Sequence, residues 1–423
     1  MSCIDIHNRL KSKMITKIEV NGFKSLKDFE LTLNSGLNIL VGPNGSGKTN
    51  IVLFFEFLSK IVTMPVSEAI TEMGGFGFVF QKTEKGFVDS IKVKIEGEAY
   101  DNRLKDKFTY TYSFELELSD DSENILYANQ ELLIISDTQN SIFNLNPETG
   151  YIEGKSHDST ATDNARRNEI LKDILDQYQL NFFQESILGA KYFSAFYFNI
   201  SNDLKGGEIF NIIPNRIREQ ENAVSSKGIQ SDGYGLSKTL YEMQRGNGSS
   251  SNYNESNFKK AIAYLKIANT SVSDLTIEKD DFNSKLVPKV YIKSGEHTSI
   301  LPLAFLSDGT LKWLTLVTAV LTSDNIFCIE EPENYLHPWM QAEMCTLMRE
   351  HLDAKKEAAF ILMTTHSETL LNAAKPEEII VVDMKNGVTR ALRVENPDLL
   401  REIISDSGFG LGHLYLTNSL SEL

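Results

Sequence analysis

Cysteine is nearly missing from this chain: its 423 residues carry three, Cys3, Cys328 and Cys345. Neither the number nor the spacing makes a disulfide framework or a zinc cluster, so a reducing, cytoplasmic setting is expected. Long apolar runs are missing too. No stretch approaches the roughly 18–20 uncharged apolar residues that cross a bilayer, and no membrane partner is expected. The opening MSCIDIHNRLKSKM has no apolar core for a secretory signal, and the fold is expected to begin near Met14. Positive charge is in deficit: 42 Lys and Arg against 58 Asp and Glu leave a net charge of −16. That excludes a uniformly basic, DNA-wrapping surface but leaves room for a local basic groove. Internal repeats and sustained heptads are lacking, which removes solenoids and long coiled coils. What is there, 41% apolar and 24% charged residues, describes an ordinary globular chain long enough for two to three domains.

Residues 14–41 read as strands, the last of them the apolar run Leu37 to Val41, which ends at glycine; a helix follows from Lys48 to Ile61. Period-two alternation then sets Ile91, Val93 and Ile95 against Lys92, Lys94 and Glu96. It also sets Tyr112, Phe114, Leu116 and Leu118 against Glu115 and Glu117. This predicts antiparallel sheet with one solvated face. Polar segments 146–168, 220–233 and 245–254 read as loops. From Ser299 onward apolar strands alternate with helices: helix 308–321, strand 325–330, helix 338–352, strand 359–365 and strand 378–383. That alternation predicts a parallel α/β sheet.

Four motifs carry chemistry. Gly42-Pro43-Asn44-Gly45-Ser46-Gly47-Lys48-Thr49 matches the phosphate-binding loop G-x-x-x-x-G-K-[ST] in full, between a strand and a helix, with Asn50 next in line. Backbone N–H groups and the helix N-terminus would face a polyphosphate, Lys48 would neutralise it, and the Thr49 hydroxyl would reach Mg²⁺. Glu330 and Glu331 end the strand Ile326 to Glu330, where a parallel sheet presents its ligands. Glu330 is assigned to Mg²⁺ and Glu331 to the general base that polarises attacking water. Taken alone, such an acid pair is a solvated turn. Thr364-Thr365-His366-Ser367 closes another strand, where His366 either contacts the γ-phosphate or caps the following helix. Ser307, Asp308 and Gly309 open a helix, as a simple N-cap or as an anion site.

In the order phosphate loop, L-S-D-G-T, I-E-E-P-E-N-Y-L-H-P and T-T-H-S, these motifs resemble an ABC-class ATPase of the SMC, RecF and OLD type. The opening ITKIEVNGFKSLKDFEL resembles that group's first strands, and the likeness covers roughly residues 14–98 and 299–416. The resemblance implies a P-loop ABC-type ATPase head with an α+β insert. The head would combine a mixed sheet, helices on both faces and an antiparallel β subdomain. It implies ATP and Mg²⁺, and a head-to-tail homodimer or higher homo-oligomer in which Ser307 and Gly309 of one subunit touch the nucleotide held by Lys48 and Thr49 of the other. Gln81 takes the place of the group's glutamine loop, near Mg²⁺, although a lone glutamine is usually solvated. His337 falls in the dimer-crossing segment. Glu330 stands where aspartate is commoner and Asp308 where transporters have glycine, so turnover is expected to be slow or conditional.

Three domains follow: residues 1–98 as the N-terminal lobe, 99–298 as a sensor or partner-binding insert, and 299–423 as the C-terminal lobe. The compact size and the ending Gly408-Phe-Gly-Leu-Gly-His-Leu-Tyr resemble stand-alone ATPase subunits of anti-phage systems such as PARIS and Septu. About 57 residues follow His366, too few for the metal-binding nuclease domain of OLD enzymes, so a separately encoded nuclease is the expected effector. The alternatives are a RecF-like DNA-clamping repair factor, with Arg103, Lys105, Lys107, Arg166 and Arg167 as candidate contacts, and a nucleotide sensor that hardly turns ATP over.

Overall fold

The computed structural model describes residues 13–101, 106–118, 125–136, 140–146, 151–156, 184, 186–189, 200–201, 203–204, 207–224, 228–246, 252–323, 326–354 and 359–417. A seven-stranded antiparallel sheet is built from β1 (Lys13–Asn21), β2 (Phe29–Thr32), β6 (Ser90–Asp101), β7 (Asp106–Leu118), β8 (Ile125–Ser136), β9 (Asn140–Asn146) and β10 (Tyr151–Ser156), in the order β10-β9-β8-β7-β6-β1-β2. Alternation decides its faces: Ile91, Val93, Ile95, Tyr112, Phe114 and Leu116 are buried, while Lys92–Glu115 and Lys94–Glu96 form ion pairs on the outside. A two-residue hairpin, β4 (Lys82–Thr83) and β5 (Gly86–Phe87), precedes β6.

The second sheet has six strands in the order β11-β15-β16-β3-β17-β18. They are β3 (Gly36–Val41), β11 (Glu208–Phe210), β15 (Ile326–Glu330), β16 (Phe360–Thr365), β17 (Ile379–Lys385) and β18 (Val388–Arg393), parallel except for the last pair. Its central strands β3 and β16 are buried on both faces, which is why they read as continuous apolar runs. Leu40, Cys328, Leu362 and Val382 meet α1 (Lys48–Ile61), whose Phe54, Phe55 and Phe57 join this sheet to the antiparallel one. On the opposite face Ile39, Val41, Ile329 and Met363 share a core with Trp313 of α7 (Asp308–Thr322) and Met344 of α8 (Pro338–Ala354).

Smaller elements complete the chain: α2 (Val66–Glu72), α3 (Phe76–Val79), α4 (Pro214–Ile217), α5 (Leu236–Arg245), α6 (Glu255–Ala268), α9 (Glu368–Ala373), α10 (Pro397–Ser407) and α11 (Leu411–Leu416). A three-stranded sheet of β12 (Val272–Lys279), β13 (Leu286–Ser294) and β14 (His297–Pro302) leads into α7. Two expectations need correction. The limits expected at 98/99 and 298/299 fall inside β6 and β14, and β7 to β10 continue the sheet that β1, β2 and β6 begin. The loop expected over 146–168 contains β10, which its register with β9 holds in place despite a polar composition; residues 157–168 lie outside the described residues. Among the described residues no helix is long and apolar enough to cross a membrane.

Candidate active site

The parallel register brings the carboxyl ends of β3, β15 and β16 side by side, and the motifs emerge together there. A cavity of about 340 Å³ is lined by Asn44 to Asn50, Asn211, Glu330, Glu331, Thr364, His366 and Met384. The loop's shape depends on glycine at two crowded points. A Cβ on Gly42 would strike the carbonyl of Val382, and one on Gly47, whose φ is 101°, would strike the Thr389 side chain. Thr389 and Asn50 both bond the Ser25 hydroxyl at 2.6 Å, so the loop and the first turn of α1 are braced from β18 and from the β1–β2 turn. Lys48 is buried, and its ammonium donates to the carbonyls of Gly42 at 2.7 Å and Pro43 at 3.1 Å. Burial pulls its pKa down, opposed by Glu331 and Glu333.

The two adjacent glutamates differ in setting. Burial raises the pKa of Glu330, whose Oε2 accepts from Asn211 Nδ2 at 3.4 Å. Glu331 has a φ of 40°, in the left-handed region. Its N–H is shared between the carbonyl of Thr364 at 3.1 Å and the Thr364 hydroxyl at 3.2 Å, and its Oε2 accepts from Asn334 Nδ2 at 3.0 Å. Its other oxygen lies 3.9 Å from His366 Nε2, beyond hydrogen-bond reach. Burial and then Lys48 depress the His366 pKa, opposed by Glu331 and Glu333. Glu333 fixes the end of β16, accepting from the Thr365 hydroxyl at 2.9 Å and the His366 N–H at 2.8 Å.

Ser46 Oγ and His366 Nε2, both on the cavity wall, are buried without a hydrogen-bond partner. Orphaned polar groups in a cavity of this kind fit a polyphosphate, which supplies acceptors on every side. Among the described residues no group of three or more His, Cys, Asp or Glu could hold a metal ion. Thr49 and Glu330 do line the cavity, and a hydroxyl beside a carboxylate is the oxygen-donor chemistry that would suit Mg²⁺ there.

Two sequence-derived groups lie elsewhere. Ser307 caps α7, its hydroxyl accepting from the Thr310 N–H at 3.3 Å, and Asp308 is paired with Arg218 at 2.7 Å. Neither they nor Gly309 line this cavity. Gln81 lies in a separate depression with Lys27, Lys82 and Asn386, because its N–H is tied to the Gly22 carbonyl and its carbonyl to the Val88 N–H. The structure therefore does not bring Gln81 to the site expected for Mg²⁺. Asn211 and Met384 were not singled out from the sequence. Asn211 follows a strand of three residues, Glu208–Phe210, too short to show periodicity.

A glycine loop between strand and helix, a buried lysine at the helix start and an acid-tipped parallel strand one place removed in the same sheet define a P-loop nucleoside-triphosphate-binding domain. Residues 37–372 match the AAA_21 family, described as AAA domain, putative AbiEii toxin, Type IV TA system, and the chain belongs to that family. Over 181 residues it is 24% identical to the DNA double-strand break repair Rad50 ATPase of Thermoplasma acidophilum, covering 38% of this chain and 18% of that protein. The chain thus spans less than a fifth of that relative's length. Similar solved structures include an SMC head bound to the C-winged helix domain of ScpA, at 14% identity, TM-score 0.48, 90% of this chain and 97% of that one. Another is the SMC head domain from Thermotoga maritima, at 16% identity, TM-score 0.40, 90% of this chain and 100% of that one. The family match spans all four motifs, the phosphate loop, L-S-D-G-T, I-E-E-P-E-N-Y-L-H-P and T-T-H-S.

Proposed function

We propose that the chain binds and hydrolyses ATP as a switch: two copies close head-to-tail around the nucleotide, and hydrolysis reopens them. The observation that carries this is the single cavity that unites Lys48, Thr49, Glu330, Glu331 and His366. Lys48 and the loop N–H groups hold the β- and γ-phosphates, Glu331 takes a proton from the attacking water, and the His366 ring donates to the γ-phosphate end. Thr49 and Glu330 would hold Mg²⁺, which supplies charge neutralisation on the phosphate oxygens when bound. Ser307 and Gly309, away from their own cavity, are free to complete the partner copy's site. The family description, with its toxin and Type IV system, is compatible with a role in anti-phage defence through a separately encoded nuclease.

A second reading, a DNA repair ATPase, has the name of the Rad50 relative in its favour. Of the basic residues considered for a groove, Lys107 is paired with Glu98 at 2.6 Å, and Arg103, Lys105, Arg166 and Arg167 lie outside the described residues. Light scattering of Glu331→Gln with Mg-ATP tests the switch. A nucleotide-dependent dimer that Ser307→Arg abolishes is expected; a monomer at every ATP concentration refutes it. Salt-dependent DNA binding by the trapped dimer would move the proposal toward repair.

A further inference from the structure

Lys312 lies on α7, five residues beyond Ser307, and is 2% exposed, rare for a lysine. Its ammonium donates to the main-chain carbonyl of Glu331 at 3.0 Å and stands 5.9 Å over the Tyr335 ring. Both gripped residues have left-handed backbone, φ 40° at Glu331 and 68° at Tyr335. Such conformations persist only where the surroundings impose them. On the same helical turn, Gly309 approaches the Tyr335 carbonyl so closely that a Cβ would collide with it. Arg218 secures the helix start, bonding Asp308 and the carbonyls of Ala304 and Leu306. The carboxylates of Glu333 and Glu331 compensate the buried charge, whose pKa burial lowers to about 8.

We propose that Lys312 is a positioning residue that clamps the strained Glu331 backbone to the helix beginning at Ser307, holding the Glu331 carboxylate toward the cavity. The clamp rests on Glu331 acting as general base. Since Ser307 opens the same helix, a shift at that helix start is transmitted directly to Glu331, so the helix and the base move as one body.

The test compares Lys312→Met, close to the same shape without the charge, with Lys312→Arg, each alone and combined with Glu331→Gln. Phosphate release and titration with ATP are the readouts. Lys312→Met is expected to lower kcat about 10- to 100-fold with the ATP Kd within about threefold, as displacement of a catalytic group does. Lys312→Arg should recover most of that loss, and in the Glu331→Gln background Lys312→Met should change the residual rate less than about twofold. Unchanged kcat overturns the clamp, and so does an equal fall in the Glu331→Gln background or a parallel loss of ATP affinity. Should Lys312→Met fail to fold, Tyr335→Ala, on a side chain 63% exposed, decides: a fall in kcat with ATP affinity kept supports the clamp, and no change refutes it. Full turnover by Glu331→Gln would remove the base assignment instead, whereas inactive Glu331→Gln beside fully active Lys312→Met removes the clamp alone.

Discussion

The two large sheets follow opposite rules. The centre of the six-stranded one is parallel, buried on both faces, and gathers the site's polar side chains at strand ends; the seven-stranded one is antiparallel, buried on one face, and spreads its polar side chains along the other. In the first, Glu330, Glu331 and His366 converge because neighbouring strands end together. In the second, Lys17, Glu19, Lys94 and Glu96 neutralise one another across the surface. Charge gathered at strand ends makes a site, and charge spread over a face makes a solvated wall.

Substitutions of graded severity sharpen that contrast. Lys48→Ala should abolish ATP binding, since the loop loses its one cation; normal affinity in a titration would contradict the phosphate-loop assignment. Glu331→Gln should keep ATP affinity and slow phosphate release by about 10² to 10⁴-fold. Leu362→Ala, in the centre of the parallel sheet, should cost about 2–5 kcal/mol in denaturant unfolding. Lys312 supplies a pH signature, because its pKa is about 8 in the fold against 10.5 when free. The unfolded chain holds the extra proton between those values, so stability rises with pH across that window, and Lys312→Met should flatten the rise. Equal slopes for the two proteins would refute it. Lys92→Ala, one half of an exposed pair with Glu115 on the antiparallel face, should change stability by about 1 kcal/mol or less.

Continuous apolar strands and motif-tipped ends made the parallel half legible: α1, β15, β16 and the start of α7 lie where periodicity put them. Alternation in β6 and β7 was equally readable. What sequence could not supply was pairing at a distance. Asp308 read as a misplaced negative charge, yet Arg218, some ninety positions earlier, neutralises it. Asn211 reached the cavity from a strand too short to leave a pattern. Gln81 was assigned by likeness of position, and backbone bonds to Gly22 and Val88 draw it into another depression.

The glycine loop near residue 45 is moulded from far downstream. β3 lies between β16 and β17, and Val382 and Thr389 crowd the loop's two constrained glycines. During synthesis, a nascent chain that stops short of residue 360 has neither neighbour for β3 and no wall behind the loop. A truncated chain lacking β17 and β18 would therefore keep the phosphate-loop sequence but lose the wall that gives the loop its shape.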